Sequence, residues 1–285
     1  MKNIYEETKF LMKKYNLTAN KKLGQNFLID DEAINKIVDS ANLTKEDLVI
    51  EIGPGLGTLT SMLLEKARKV IAIELDDRMV KILQDRFLVY NNFELINEDV
   101  LKVNLPELIE ANKQFKSVKV VANLPYYITT PIIMKLLENR LNIESITIMI
   151  QKEVAERIVA TPGSKLSGAI TYSVHYYAEP EEVTIVPNTS FIPSPEVDSE
   201  VIKLVIRKEP PVELKDEKLF FNIIKASFMQ RRKTLANGLV NGGILQNKTE
   251  AVEVLKNIGL EENVRGEELS LEQFAKLSNE IYLRK

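Results

Sequence analysis

The sequence predicts an α/β protein with a mainly parallel sheet, followed by a small helical domain. Short apolar runs alternate with amphipathic stretches from residue 47 to about residue 150, whereas residues 215–285 show helical periodicity without strong strand signals. Strands that alternate with helices imply parallel pairing through right-handed crossovers. The character of the chain changes at Glu209-Pro210-Pro211, so we predict domains at 1–209 and 210–285.

The elements of the first domain can be predicted in order. Apolar runs without polar alternation are typical of strands that are covered on both faces. They predict five strands, at Asp47–Ile52, Lys69–Leu75, Phe93–Asn97, Lys119–Ala122 and Ser145–Ile150. Helical periodicity predicts helices at Thr58–Ala67, Asp76–Leu88 and Ile132–Glu138, and a helical stretch over 151–178. Two further runs, Val183–Val186 and Val201–Ile206, would complete a seven-stranded sheet as a hairpin-like edge.

Composition excludes several classes of site. The 285 residues include no cysteine and one histidine, so disulfides and the usual Cys/His zinc sites are excluded, and we expect no metal. The N-terminus lacks the apolar core of a signal peptide and no run reaches the length of a membrane span, so we expect a cytoplasmic protein without membrane contact. The net charge is −3, so any nucleic-acid binding must use local patches, such as the acid-free stretches 9–22 and 221–248 with five cations each.

A glycine cluster follows the first predicted strand, in the sequence Glu51-Ile-Gly53-Pro-Gly55-Leu-Gly57. Glycines at this place allow a ligand to approach the backbone closely, and open α/β sheets bind ligands at the carboxyl ends of their strands. The spacing G-x-G-x-G differs from the G-x-G-x-x-G of dinucleotide-binding folds. The pattern favours a cofactor with an amino-acid part and a nucleoside part but no pyrophosphate, and a tight structural turn is the alternative.

Acidic residues follow the next two strands. Glu74 ends the second strand 21 residues after Gly53 (74 − 53 = 21), where a carboxylate can accept hydrogen bonds from both ribose hydroxyls. Asp99 follows the third strand and can accept a hydrogen bond from a cofactor adenine, although this residue taken alone favours capping of a helix. The adjacent Leu75 and Val100 complete this predicted cofactor set.

The tetrapeptide Asn123-Leu124-Pro125-Tyr126 follows the fourth strand and points to the reaction. The N6 nitrogen of adenine is a poor nucleophile because its lone pair is delocalised into the ring. The Asn123 amide oxygen and the Leu124 carbonyl can each accept one N–H bond and favour a pyramidal nitrogen. Proline holds the turn rigid, and Tyr126 can stack on a flipped base. A loop of this composition also occurs without such a role.

Eight motifs in order resemble the ribosomal RNA small-subunit adenine N6,N6-dimethyltransferase family, and they cover nearly the whole chain. The motifs are Gly24-Gln25-Asn26-Phe27-Leu28, EIGPGLGTLT, IAIELD, NEDVL, NLPYYI, the segment Gln151–Arg157, the segment Phe191–Ser199 and the segment Phe228–Leu235. The resemblance implies a class I methyltransferase fold, Rossmann-like, with a small helical C-terminal domain that binds rRNA. It also implies S-adenosyl-L-methionine as the cofactor, held by Gln25, Asn26, Leu28, Glu51, Gly53, Gly55, Gly57, Glu74, Leu75, Asp99, Val100 and Asn123.

The resemblance further implies the target. Phe191 would be the second aromatic wall of the target-base pocket, opposite Tyr126. Arg231, Arg232 and Lys233 would contact RNA phosphates. The expected substrate is a pair of adjacent adenosines in the 3′-terminal hairpin of 16S rRNA, within the small ribosomal subunit or its late precursor, methylated by a monomer with a role in subunit biogenesis.

Three alternatives stay open at this point. A methyltransferase of the resistance type, which modifies an adenosine of large-subunit rRNA, would share the N-terminal motifs. An assembly factor that mainly binds the pre-ribosome, with its chemistry secondary or lost, is the second alternative; the intact glycine loop, Glu74 and Asn123 argue against a loss of activity. A nucleotide-dependent oxidoreductase is disfavoured by the glycine spacing and by the Asn-Leu-Pro-Tyr turn.

Overall fold

A seven-stranded sheet dominates the computed structural model, which describes residues 3–20, 23–230 and 232–284. The strand order is β4-β3-β2-β5-β6-β9-β7. Strands β2 to β6 pair in parallel, and β9 runs antiparallel to β6. The strands are β1 (Phe27–Leu28), β2 (Asp47–Ile52), β3 (Lys69–Glu74), β4 (Phe93–Asn97), β5 (Ser117–Asn123), β6 (Ser145–Gln151), β7 (Ala178–Val186), β8 (Phe191–Ile192) and β9 (Ser199–Ile206).

The central strands follow from their composition. Every residue of β2 is buried, as expected for a strand covered on both faces. The strand order reverses between β2 and β5, because the chain proceeds from β2 to β3 and β4 on one side and from β5 to β6 on the other. Crevices at such switch points bind ligands in open α/β sheets.

Helices fill the connections between the strands and form the C-terminal region. Most begin at a polar N-cap: Asp30, for example, accepts hydrogen bonds from the amides of Glu32 and Ala33. The helices are α1 (Ile4–Lys14), α2 (Asp31–Ser40), α3 (Thr58–Lys66), α4 (Asp77–Phe87), α5 (Leu105–Glu110), α6 (Thr129–Glu138), α7 (Lys152–Val159), α8 (Ala169–Tyr177), α9 (Glu217–Phe228), α10 (Leu235–Asn241), α11 (Lys248–Asn257) and α12 (Leu271–Leu283).

The chain forms two compact units. The first contains the residues up to Ala155 together with Glu181–Ile206, and the second contains Glu156–Pro180 together with the residues from Arg207 onward. The domain boundary at residue 209 stays a prediction, and these units differ from it by placing 156–180 with the C-terminal residues.

Each unit has its own apolar core. In the first unit, residues of α2, α3 and α4 such as Ile34, Leu63 and Met79 are fully buried. In the second unit, the rings of Tyr172 and Phe274 meet edge to face with centroids 4.8 Å apart. Both cores are extensive enough to hold their surroundings in a defined geometry.

Candidate active site

A cavity lies at the carboxyl ends of β2, β3 and β5, next to the point where the strand order reverses. Parallel strands bring the residues that follow them to the same edge of the sheet. The cavity is therefore lined by predicted site residues from six separate segments: Gln25, Asn26, Leu28, Glu51, Gly53, Gly55, Glu74, Leu75, Asp99, Val100, Asn123, Leu124, Pro125, Tyr126 and Phe191.

The glycine loop forms the floor of this cavity between β2 and α3. Gly55 has φ +57°, in the left-handed region that favours glycine, and a Cβ atom there would lie 3.6 Å from the ring of Phe27. The Gly55 amide donates a hydrogen bond of 3.1 Å to Oε2 of Glu74. The acid at the end of β3 thus supports the turn that follows β2.

Glu74 is held in place by the backbone. In addition to Gly55, the amide of Asp76 donates a 2.8 Å hydrogen bond to its Oε1. The side chain is buried, and burial raises the pKa of Glu74 although these hydrogen bonds oppose the shift. Each carboxylate oxygen has two lone pairs, so both oxygens keep the capacity to accept a ligand hydroxyl.

Glu51 is a buried acid of the cavity with one unpartnered oxygen. It is 1% exposed, and its Oε2 has no hydrogen-bond partner among the described residues. Burial, with a smaller contribution from the nearby Glu74 carboxylate, raises the pKa of Glu51 from 4.5 to about 8. Two buried carboxylates without a cation form a site that a positively charged ligand group would stabilise.

The loop after β4 forms another part of the wall. Asp99 Oδ1 accepts a 2.9 Å hydrogen bond from the amide of Leu101, so this carboxylate closes the turn that it begins. Lys135 of α6 donates hydrogen bonds of 2.6 and 2.8 Å to the carbonyls of Leu101 and Val103. An ammonium group thus fixes the backbone next to Asp99.

The Asn123–Tyr126 segment leaves β5 at the rim of the cavity. The Leu124 amide donates to the carbonyl of Met149 on β6 at 3.1 Å, and the Pro125 carbonyl accepts bonds from the Ile128 amide and the Thr129 hydroxyl. These bonds hold the turn. Burial raises the pKa of Tyr126, whose hydroxyl lies 2.7 Å from Oγ of Ser199.

The N-terminal segment completes the cavity. Gln25 accepts a 2.9 Å bond from the Asn20 amide and donates a 2.7 Å bond to Asp76, which also pairs with Arg78. Leu28 of β1 lies opposite Phe191 of β8 in a two-stranded antiparallel ribbon. The same ribbon therefore supplies residues to two walls of the cavity.

The comparisons with known proteins agree on one family. The family model described as ribosomal RNA adenine dimethylase matches residues 16–282. The chain is 49% identical to ribosomal RNA small subunit methyltransferase A of Lachnoclostridium phytofermentans, over 97% of this chain and 96% of the relative.

The chain belongs to the ribosomal RNA adenine dimethylase family.

Solved structures agree. A dimethyladenosine transferase from Plasmodium falciparum superposes with a TM-score of 0.75 at 30% identity, covering 88% of this chain and 95% of that chain. The 23S rRNA methyltransferase ErmE superposes with a TM-score of 0.69 at 27% identity, covering 90% and 100%.

Family membership confirms the fold class and the type of reaction that the sequence predicts. The protein has a class I methyltransferase fold with a helical C-terminal part. It is an S-adenosyl-L-methionine-dependent rRNA adenine dimethyltransferase. The alternative of a nucleotide-dependent oxidoreductase is therefore wrong.

The cavity of this dimethylase fits its cofactor. The amino-acid part of S-adenosyl-L-methionine carries an ammonium group and its ribose carries two hydroxyls. The unpartnered, buried Oε2 of Glu51 suits the cation, and the spare lone pairs of Glu74 suit the hydroxyls.

One predicted cofactor residue does not line the cavity. Gly57 is the N-cap of α3 with φ +79°, and a Cβ atom there would lie 2.6 Å from the ring of Phe87. Packing of α4 against the glycine loop, in addition to the left-handed backbone, thus requires glycine here. The G-x-G-x-G spacing gave no means of separating this packing role from ligand contact.

Several residues that form or support the wall were not predicted from the sequence. Tyr127 is 58% exposed at the cavity, and its ring lies against Gly24. Lys135 and Ser199 do not line the cavity: Lys135 holds the loop that follows Asp99, and Ser199 contacts the hydroxyl of Tyr126. Tyr127 and Ser199 lie within the quoted motifs NLPYYI and Phe191–Ser199, whereas Lys135 lies in none of the eight motifs.

The predicted RNA contacts lie in the second unit. Arg232 and Lys233 are exposed in the segment between α9 and α10, and Arg231 lies outside the described residues. Across the parts of the chain that are described, no helix has the length and apolar character needed to span a membrane. Within those same parts, no three His, Cys, Asp or Glu side chains group in a way that could hold a metal ion.

Proposed function

We propose that this dimethylase methylates N6 of two adjacent adenosines in the 3′-terminal hairpin of 16S rRNA, within the small ribosomal subunit or its late precursor. The observation that carries the proposal is the meeting, in one cavity, of the buried acids Glu51 and Glu74 with the Asn123–Tyr126 turn and Phe191. A monomer in the cytoplasm with a role in small-subunit biogenesis, as the sequence predicts, is part of the proposal.

The acids and the N-terminal segment hold the cofactor. Glu74 accepts hydrogen bonds from the ribose hydroxyls, Glu51 pairs with the ammonium group, and Asp99 accepts from the adenine amine. The floor is formed by Gly53 and Gly55 and the cover by Gln25, Asn26 and Leu28, while Leu75 and Val100 pack beside the adenine. When bound, the cofactor supplies a methyl group on a sulfonium sulfur. Because that sulfur is itself the leaving group, methyl transfer needs no strong base.

Asn123 and Leu124 orient the target amine. The Asn123 side-chain oxygen and the Leu124 carbonyl each accept one N–H bond, which draws the N6 nitrogen out of conjugation and localises its lone pair. The rigid turn at Pro125 means that little reorganisation accompanies this step. The contribution of the residues is therefore positioning and electrostatic, in agreement with a site without histidine.

Tyr126 and Phe191 receive the flipped base. Both line the cavity, and stacking on aromatic rings offsets the cost of taking a base out of its helix. Arg231, Arg232 and Lys233 contact phosphates and orient the RNA without reading its sequence.

The small subunit is favoured as the substrate. A relative of 49% identity is named for the small subunit, whereas the 23S rRNA methyltransferase ErmE is 27% identical. The large-subunit alternative therefore stays as the competing outcome of the test.

The test is incubation of the pure protein with methyl-labelled S-adenosyl-L-methionine and ribosomal subunits that lack the modification. We expect labelled N6,N6-dimethyladenosine in nucleosides from small subunits. Label confined to large subunits would move the protein to the resistance-type enzymes. An absence of label from both, with intact cofactor binding, would contradict the proposed substrate.

A further inference from the structure

The loop 187–198, which includes the short strand β8, connects the cavity residue Phe191 to Ser199, a contact of Tyr126. It carries Phe191 to the cavity and then leads directly into Ser199, the first residue of β9. Three prolines, at positions 187, 193 and 195, restrict its backbone. A short connection of this kind can hold its two ends at a fixed separation.

Asn188 closes this loop on itself. Its amide donates a 2.9 Å hydrogen bond to Asp198, and its side chain donates a 3.3 Å bond to the carbonyl of Pro195. Its carbonyl accepts a 2.8 Å bond from the hydroxyl of Ser194. The loop is therefore internally braced by three hydrogen bonds at one residue.

The Phe191 end of the loop is anchored in the β1–β8 ribbon. Phe191 lies opposite Leu28, and the next hydrogen bond joins the Ile29 amide to the Ser190 carbonyl at 2.9 Å. The Ser190 hydroxyl donates a 2.7 Å bond to Asp30, the N-cap of α2. Phe191 itself is 4% exposed, so its ring is held by packing as well.

The Ser199 end of the loop is anchored in the main sheet. Ser199 is 1% exposed and lies opposite Gln151 in the pairing of β6 with β9. Its Oγ lies 2.7 Å from the hydroxyl of Tyr126, which is the second aromatic residue of the pocket. Backbone bonds at Pro125 hold the turn, and the hydrogen bond with Ser199 restrains the far end of the Tyr126 ring.

We propose that Ser199 is a positioning residue for base binding, and that the loop 187–198 sets the separation of the Tyr126 and Phe191 rings. This inference rests on the proposed function, in which the two rings receive the flipped adenine. Ser199 does not line the cavity, so it acts through Tyr126 and not by contact with cofactor or base.

The proposal predicts a specific pattern in a double-mutant cycle. Ser199→Ala and Tyr126→Phe each remove one partner of the hydrogen bond, and Tyr126→Phe keeps the ring. Each variant should lower kcat for methylation of unmodified small subunits by roughly tenfold, because a misplaced base leaves the reactive geometry. The double variant should lose no more than either single variant. The Kd for S-adenosylhomocysteine should change by less than about twofold in all three.

Ser117→Ala is the matched control. Ser117 donates a 2.7 Å side-chain hydrogen bond to Asp47 at the opposite end of the sheet. Ser117→Ala therefore removes a serine hydrogen bond, as Ser199→Ala does, but at a place away from the cavity. Its kcat should equal that of the wild type. If the losses of the two single variants multiply in the double variant, or if Ser199→Ala keeps the wild-type kcat, the positioning role is wrong.

Two further outcomes are decisive. If Ser199→Ala fails to bind S-adenosylhomocysteine, its effect is on folding, and Tyr126→Phe decides: a wild-type kcat for that variant contradicts the proposal. A wild-type protein that methylates no small subunit contradicts the proposed function itself, which separates the two failures.

Discussion

At the scale of single residues, Glu51 and Glu74 differ in the hydrogen bonds that the protein gives to their carboxyl oxygens. The roles proposed for the two acids follow from this difference. Each carboxylate oxygen of Glu74 already accepts a hydrogen bond from a backbone amide and keeps a lone pair for a neutral hydroxyl. Oε2 of Glu51 has no such support, and burial keeps this acid protonated up to about pH 8 unless a cation binds beside it. This difference supports the proposal that Glu51 pairs with the ammonium group of the cofactor and Glu74 with its ribose hydroxyls.

Removal of the Glu74 carboxylate should weaken cofactor binding by roughly 1–3 kcal/mol, the usual contribution of hydrogen bonds to a charged group. Calorimetry of S-adenosylhomocysteine with Glu74→Ala measures this loss. Glu65→Ala, a change at an exposed acid of α3 that does not line the cavity, is the control. An unchanged affinity for Glu74→Ala would refute the ribose role.

Glu51 should make the cofactor-free protein less stable as the pH rises. Its pKa is raised to about 8 in the folded state, so an unfolded chain with a pKa near 4.5 releases this proton first. The stability that the protonated form contributes is complete below pH 4.5 and is lost as the pH approaches 8.

The measurement is the free energy of unfolding of wild type and Glu51→Gln in urea, at pH 5 and pH 8 without cofactor. From pH 5 to pH 8, the free energy of unfolding of Glu51→Gln should rise by a few kcal/mol relative to that of the wild type. If the two proteins differ by the same free energy of unfolding at both pH values, the raised pKa of Glu51 is contradicted.

At the scale of elements, α6 supports both sides of the site. It begins directly after the Asn123–Ile128 segment, and its Lys135 holds the loop after β4 that carries Asp99. One helix thus joins the wall predicted for the base to the wall predicted for the cofactor adenine.

Lys135→Met should raise the KM for S-adenosyl-L-methionine by about tenfold with little change in kcat, because two hydrogen bonds to a charged donor are lost from the cofactor side. Lys135→Arg should recover part of the loss. Lys113→Met, at an exposed ion pair with Glu110, is the control. Equal effects at Lys135 and Lys113 would contradict a role in positioning.

The sequence predicts those parts of the site that are local to one strand end. Glu51, Glu74 and Asn123 each follow an apolar run, and parallel pairing must bring such ends together. The Tyr126–Ser199 contact joins residues 73 positions apart, and the β1–β8 ribbon has only two residues in each strand. Such contacts depend on tertiary packing and leave no periodic pattern in the sequence.

At the scale of the whole molecule, RNA recognition must be local because the net charge is −3. Arg232 and Lys233 are exposed and belong to the second unit, whereas the cavity residues belong to the first. We therefore expect that RNA affinity and methyl transfer can be altered separately.

Replacement of Arg231, Arg232 and Lys233 by Gln should reduce affinity for small subunits and flatten its dependence on salt. Each lost phosphate contact should lower the slope of log K against log salt by about 0.7–0.9. Filter binding at several salt concentrations gives the slope, with Lys256→Gln, a change at an exposed cation outside the stretch 221–248, as the control. An unaltered slope would show that these cations are only solvated.

The central claim is that one cavity binds the cofactor on its acids and orients the target amine on Asn123. The most direct test is to measure single-turnover methyl transfer and the Kd for S-adenosylhomocysteine on the same Asn123→Ala preparation. We predict a fall in transfer of roughly a hundredfold or more, with a Kd within a few-fold of the wild type, because the lost acceptor acts on the reacting amine. Loss of cofactor binding together with activity, or full activity without the amide, would contradict the claim.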